Sequence, residues 1–190
     1  MRRTGILWIG AGLLVALLVS PGVLRAQDAV PLDQQVALLL KAVSYDRNLK
    51  KRSADGIHIA VIHKDSDKAA AELAAAFEEA GKNKIKDLPV TAAAVPFTSV
   101  EVLLKQVDAE GINVFYVHPS AGLAISSIQQ VTRGKKILSL GGTRKLVEQG
   151  FSLGVYLRNN APRLVVNQKA AQVEGLDLEP AIKLISTIIK

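Results

Sequence analysis

The chain has 190 residues, 49% hydrophobic and 22% charged, which suffices for one globular domain with a substantial core. It contains no cysteine, and this excludes a disulfide framework, a thiolate metal site, a cysteine nucleophile and lipidation on cysteine. The formal net charge is +7, yet aromatic residues make up only 4%, too few for the stacking platforms on which single-stranded nucleic acids lie.

Residues 1–26 read as a secretory signal peptide. Arg2-Arg3 form a positive start, Ile6 to Val19 an apolar run, Ser20-Pro21-Gly22 a break, and Ala26 a small residue for cleavage before Gln27. The run is shorter than the ~20 residues a spanning helix needs, and Arg2-Arg3 alone do not make a twin-arginine signal. Cleavage removes Arg2, Arg3 and Arg25 and no acid, so the net charge falls from +7 to +4. The expected product is an exported protein in which residues 27–32 are a linker and 33–190 one α/β domain.

An amphipathic helix is predicted from Asp33 to Ser44, with Val36, Leu39, Leu40 and Val43 on one face. The charge-rich stretch Asp46 to Asp55 reads as a solvated loop, because Lys50-Lys51-Arg52 is too short and isolated to bind nucleic acid. Strand and helix signals then alternate. Ile57 to His63 is a β-branched run followed by an Asp65 or Ser66 cap and an alanine-rich helix that stops at Gly81. Val90 to Val95 is a strand bracketed by Pro89 and Pro96, which suits a sheet edge. Thr98 to Glu101 has capping-box spacing ahead of Val100, Leu103, Leu104 and Val107. Ile112 to Val117 is a third strand, and Ser120 opens a helix carrying Ala121, Ala124, Ile128 and Val131.

A fourth strand, Ile137 to Leu140, meets Gly141-Gly142-Thr143, a short helix from Arg144 to Gln149, and Gly150 as a left-handed stop. Two alternating segments joined by Arg158-Asn159-Asn160 read as a hairpin, since asparagine tolerates the positive φ of a tight turn. A helical turn at Gln168 to Gln172 and a last apolar helix from Glu179 to Lys190 complete the chain. Four successive strand–helix units require parallel strands with right-handed crossovers. The fold class is therefore α/β: a three-layer, mostly parallel doubly wound sheet in the flavodoxin-like order 2-1-3-4-5, with a C-terminal antiparallel hairpin and a closing helix.

From Lys136 onward the order of pieces resembles the YfiR-like family of periplasmic regulators. The features are the glycine break, the short helix, Gly150-Phe151 entering a hairpin, Arg163-Leu164-Val165-Val166-Asn167 followed by Ala170-Ala171, and Gly175-Leu176 before a closing apolar helix. The chain lacks the Trp-Pro expected after the first helix and the cysteines that some members use for disulfides, so redox control of that kind is excluded. The resemblance implies a non-catalytic exported protein that binds the periplasmic part of a membrane signalling enzyme, typically a diguanylate cyclase, and holds it inactive. It carries over no catalytic residue and no cofactor. A homodimer is compatible with it.

Two classes of function follow. For a contact regulator, the candidate surface is the flank of the last helix, at Ile185 and Ile189, with the hairpin edge around Tyr156 and Leu164. For a small-molecule or anion module resembling one lobe of a solute-binding protein, ligands sit beyond the carboxyl ends of the strands, where strand order reverses. His63, Lys64, His118, Ser120, Gly141 and Gly142 fall there, although two histidines lack an obvious third metal ligand. No phosphate loop, nucleophile elbow or paired-carboxylate motif occurs, so no enzyme is expected.

Overall fold

The computed structural model describes residues 30–64 and 68–190. The signal peptide and the Asp65 or Ser66 cap lie outside the described residues. Val30 is buried, and the first helix, α1 (Leu32–Ser44), starts at Leu32, so the end of the expected 27–32 linker belongs to the domain.

After α1 come α2 (Leu49–Arg52), β1 (Ile57–His63), α3 (Lys68–Gly81), β2 (Val90–Pro96), α4 (Val100–Glu110) and β3 (Val114–Val117). A 3-10 segment (Pro119–Ala124) leads into α5 (Ile125–Lys135), then β4 (Leu138–Gly141) and α6 (Arg144–Glu148). The chain continues through β5 (Leu153–Arg158), β6 (Ala161–Asn167), α7 (Gln168–Val173), α8 (Pro180–Ile185) and β7 (Thr187–Ile189).

The strands form one sheet in the order β2-β1-β3-β4-β5-β6-β7. The first five are parallel in the expected 2-1-3-4-5 order; β5 and β6 form the antiparallel hairpin, and β7 runs parallel to β6. Because β1, β3 and β4 are covered on both sides, they are almost continuously apolar rather than alternating. Val114 and Tyr116 point into a core shared with α1 and α3, where Phe77 meets Tyr116 edge-on with ring centroids 5.6 Å apart. Phe115 and Val117 point the opposite way, into the core beneath α4 and α5. The hairpin turn has Asn159 and Asn160 at φ 52° and 57°, the left-handed pair that a two-residue turn demands.

Three local expectations are corrected. Ser99, not Thr98, caps α4, with its hydroxyl accepting from Val102 N at 3.3 Å. The stretch after Val117 is a 3-10 segment capped by His118, and the regular helix begins at Ile125. The helix expected over Glu179 to Lys190 ends at Ile185, because Ser186 is extended and the β-branched run Thr187-Ile188-Ile189 adds an edge strand to β6 instead. No helix among the described residues is long and apolar enough to cross a membrane.

Candidate functional site

The register of the sheet places the first set of candidate residues. Ile62 of β1 pairs with Val117 of β3, which pairs with Gly141 of β4, so His63, His118 and Gly142 stand next to one another along the carboxyl edge. Strand order reverses between β1 and β3, which is where open α/β sheets place a ligand. His118 Nδ1 lies 2.9 Å from Ser120 Oγ and accepts from Ser120 N at 3.3 Å. Ser120 Oγ in turn accepts from Lys64 N at 3.4 Å. These contacts join Lys64, His118 and Ser120 across the switch point.

His63 is 6% exposed, and its Nδ1 has no hydrogen-bond partner among the described residues. The glycines serve packing. A Cβ at Gly142 would overlap the Tyr116 hydroxyl and the Gln35 side chain, and one at Gly141 would come within 2.9 Å of Leu146 Cβ. Burial raises the Tyr116 phenol well above its usual range, so the ring is neutral against Gly142. Among the described residues, no three histidine or acidic side chains converge on a point where a metal would sit.

The second set, on the far side of the sheet, divides. Ile185 is 65% exposed and its neighbour Leu184 87%, so α8 presents an apolar pair to solvent beside the open edge of β7. Ile189 is half-buried on β7 itself. Leu164 corrects the expectation: its side chain is 2% exposed and packs in the core, and β6 is not the sheet edge, because β7 pairs with it from Val165 to Asn167. Tyr156 is half-buried, with its hydroxyl 2.8 Å from Thr187 Oγ1 and the Arg144 guanidinium 5.5 Å above its ring centroid.

Two polar clusters escaped the sequence reading. Asp46, assigned to a solvated loop, is fully buried. It accepts from Asn48 N, Asp177 N and Arg52 Nε at 2.9, 3.0 and 3.2 Å. Arg52 Nη1 also donates to the carbonyls of Lys136 and Glu174. The Glu174 carboxylate is enclosed by Ser139 N and Oγ, each at 2.8 Å, and by the Ser152 hydroxyl. Burial holds this carboxyl above its usual range, against the opposing pull of those donors. The one sequence signal is spacing: Ala170, Ala171 and Glu174 share the buried face of α7, so an acid occupies a core position. Asn167 is structural, accepting from Ala170 N at 3.0 Å to cap α7 and donating to the Val147 carbonyl at 3.0 Å.

Fold and surface together define a doubly wound α/β domain with an apolar pair at an open sheet edge. The YfiR/HmsC-like family model matches residues 33–184, and the chain belongs to that family. Membership supports a periplasmic regulator. No curated protein matches the sequence.

Among solved structures, the chain is similar to an ABC domain in complex with L-Trp from Streptococcus pneumonia, at 14% identity and a TM-score of 0.60 over 84% of this chain and 62% of that one. It is also similar to a conserved domain protein from Vibrio cholerae, at 16% identity and a TM-score of 0.58 over 84% of this chain and 60% of that one. A ligand-free, open substrate binding protein with adhesive properties from Clostridium difficile gives 12% and 0.54 over 76% and 58%. The chain thus spans about three-fifths of the length of these structures, and the likeness is one of fold.

Proposed function

We propose that the protein is an exported, non-catalytic regulator that contacts the periplasmic part of a membrane signalling protein, a diguanylate cyclase being the partner the family suggests, and modulates its activity. The observation that carries this reading is the exposed Leu184-Ile185 pair beside the unpaired edge of β7. An apolar anchor next to free backbone donors and acceptors suits docking of a partner segment or strand. The same edge suits a second copy of this chain, in which case the regulator is a homodimer. A regulator must bind one state of its partner better than the other, because equal affinity shifts nothing. With no reactive constellation in view, that difference falls to surface contacts.

The test is the double variant Leu184→Asp/Ile185→Asp, expressed in cells carrying the cognate membrane enzyme, with cyclic dinucleotide as the readout. The variant is expected to fold and to reproduce the dinucleotide level of a gene deletion. If deleting the gene leaves that level unchanged, the cyclase reading is wrong.

A second reading, a small-molecule or anion module, is favoured by the buried and unpartnered Nδ1 of His63 beside the linked Lys64, His118 and Ser120. In that reading His63→Ala/His118→Ala folds normally and loses the heat of binding seen by calorimetry with the wild type.

A further inference from the structure

A cavity of about 580 Å3 opens at the other end of the sheet, where the parallel strands begin. Its floor is apolar, built from Val107 of α4 and from Ile112 and Ile137, which lead into β3 and β4. Its walls are cationic. Lys51 on α2 and Lys136 at the end of α5 line it and form no ion pair among the described residues. Arg52 joins them with its side chain 8% exposed. Its Nε and Nη1 are engaged by Asp46 and two carbonyls, whereas Nη2 has no acceptor among the described residues.

Asp46 compensates Arg52, but the two acids that line the cavity do not compensate Lys51 and Lys136. Asp108 is held by Lys135 Nζ at 2.7 and 2.9 Å, and Glu174 turns its carboxylate inward to Ser139 and Ser152. Lysines at helix ends complement the helix dipole, which accounts for their sign. It does not account for a volume of this size left unfilled between them, within the range that ligand pockets occupy. Three carbonyls at the ends of α5 and α7 are already engaged. Those of Lys136 and Glu174 accept from Arg52, and that of Gly175 accepts from Asn48 Nδ2 at 3.0 Å.

We propose that this cavity is a binding site for a small organic anion with a short apolar body, such as an aliphatic dicarboxylate. The lysines and the free Nη2 meet the charge, and the floor takes the methylenes. The site is separate from both the switch-point residues and α8, so it stands whether or not the partner reading holds.

The test is calorimetry on the intact protein with adipate, and with adipamide, its uncharged counterpart of the same shape. Adipate is expected to bind saturably and more weakly as salt rises, while adipamide gives no heat. Lys51→Ala/Lys136→Ala is expected to weaken adipate binding about tenfold or more, because each lysine removes a charged contact. Lys105→Ala/Lys169→Ala, exposed lysines elsewhere, is expected to leave it unchanged. No binding by the wild type, retention of affinity by the first pair, or equal loss in the second pair overturns the site. Inorganic phosphate binding as tightly as adipate overturns the organic-anion assignment.

Discussion

Arg52 Nε meets Asp46 Oδ2 at 3.2 Å with both side chains withdrawn from solvent, and the same guanidinium donates to the carbonyls that follow α5 and end α7. One side chain therefore fastens the segment after α1 to two distant helix ends. Removing it leaves a buried carboxylate without its cation, at a cost of about 3–5 kcal/mol. Arg52→Ala is expected to lower the urea midpoint accordingly. Arg52→Lys should recover only part of the loss, since one ammonium cannot span three acceptors. A loss below about 1 kcal/mol would mean that the pair behaves as a surface contact.

Glu174 should impose a pH dependence on stability. Its folded-state pKa is raised, chiefly by burial, so its stabilising contribution is complete below the unfolded carboxyl range and is lost as pH rises through the folded value. Glu174→Gln keeps the shape without the titration. The variant is expected to gain on the wild type as pH is raised from about 4 to 8, measured as the difference in urea midpoint at each pH. A difference that stays constant with pH would show that the carboxyl does not titrate differently in the folded state.

Two glycines give opposite expectations. At Gly154 an added Cβ would overlap Val147 and lie 3.0 Å from the Thr143 carbonyl, so Gly154→Ala is expected to destabilise by about 1–3 kcal/mol. At Gly134, inside α5, nothing lies within 4 Å, so Gly134→Ala is expected to stabilise by about 0.5–1 kcal/mol. Thermal melts of the two variants check both signs.

Scaffold and crevice should separate cleanly. Leu138 is fully buried in β4, and Leu138→Asp places an unpaired charge there that costs several kcal/mol against a total of ~5–15. Circular dichroism is expected to show an unfolded chain. His63→Ala/His118→Ala should retain a native spectrum, because His63 ends β1 and His118 Nδ1 bonds within its own turn.

The parallel half of the sheet was legible because its signals are local: β-branched runs, caps and glycine stops recur in one order from Ile57 to Gly150. The edge position of β2 followed from Pro89 and Pro96, and the hairpin from Asn159-Asn160. The end of the chain was not legible. Ile185, Ile188 and Ile189 suit a helix face and a strand alike, and only the vacancy beside β6 selects the strand. Asp46, Arg52 and Glu174 were missed for a related reason. Asp46 and Arg52 lie six residues apart, but their burial depends on partners up to 131 residues away, which no window along the sequence contains.

The pairing of the strands also carries a timetable. Arg158 meets Ala161 across the asparagine turn, a closure that microsecond hairpin formation can complete. Ile57 must find Val90, and Ile59 must find Val114, across whole intervening helices. The entropy of closing those longer loops is lost before β1 gains any contact, so β1, whose pairing with β3 spans the longest separation of any neighbouring strands, is the strand that has to wait. Until then its apolar flanks are bare, and the interval between hairpin closure and the docking of β1 is when an emerging chain would be most prone to aggregate.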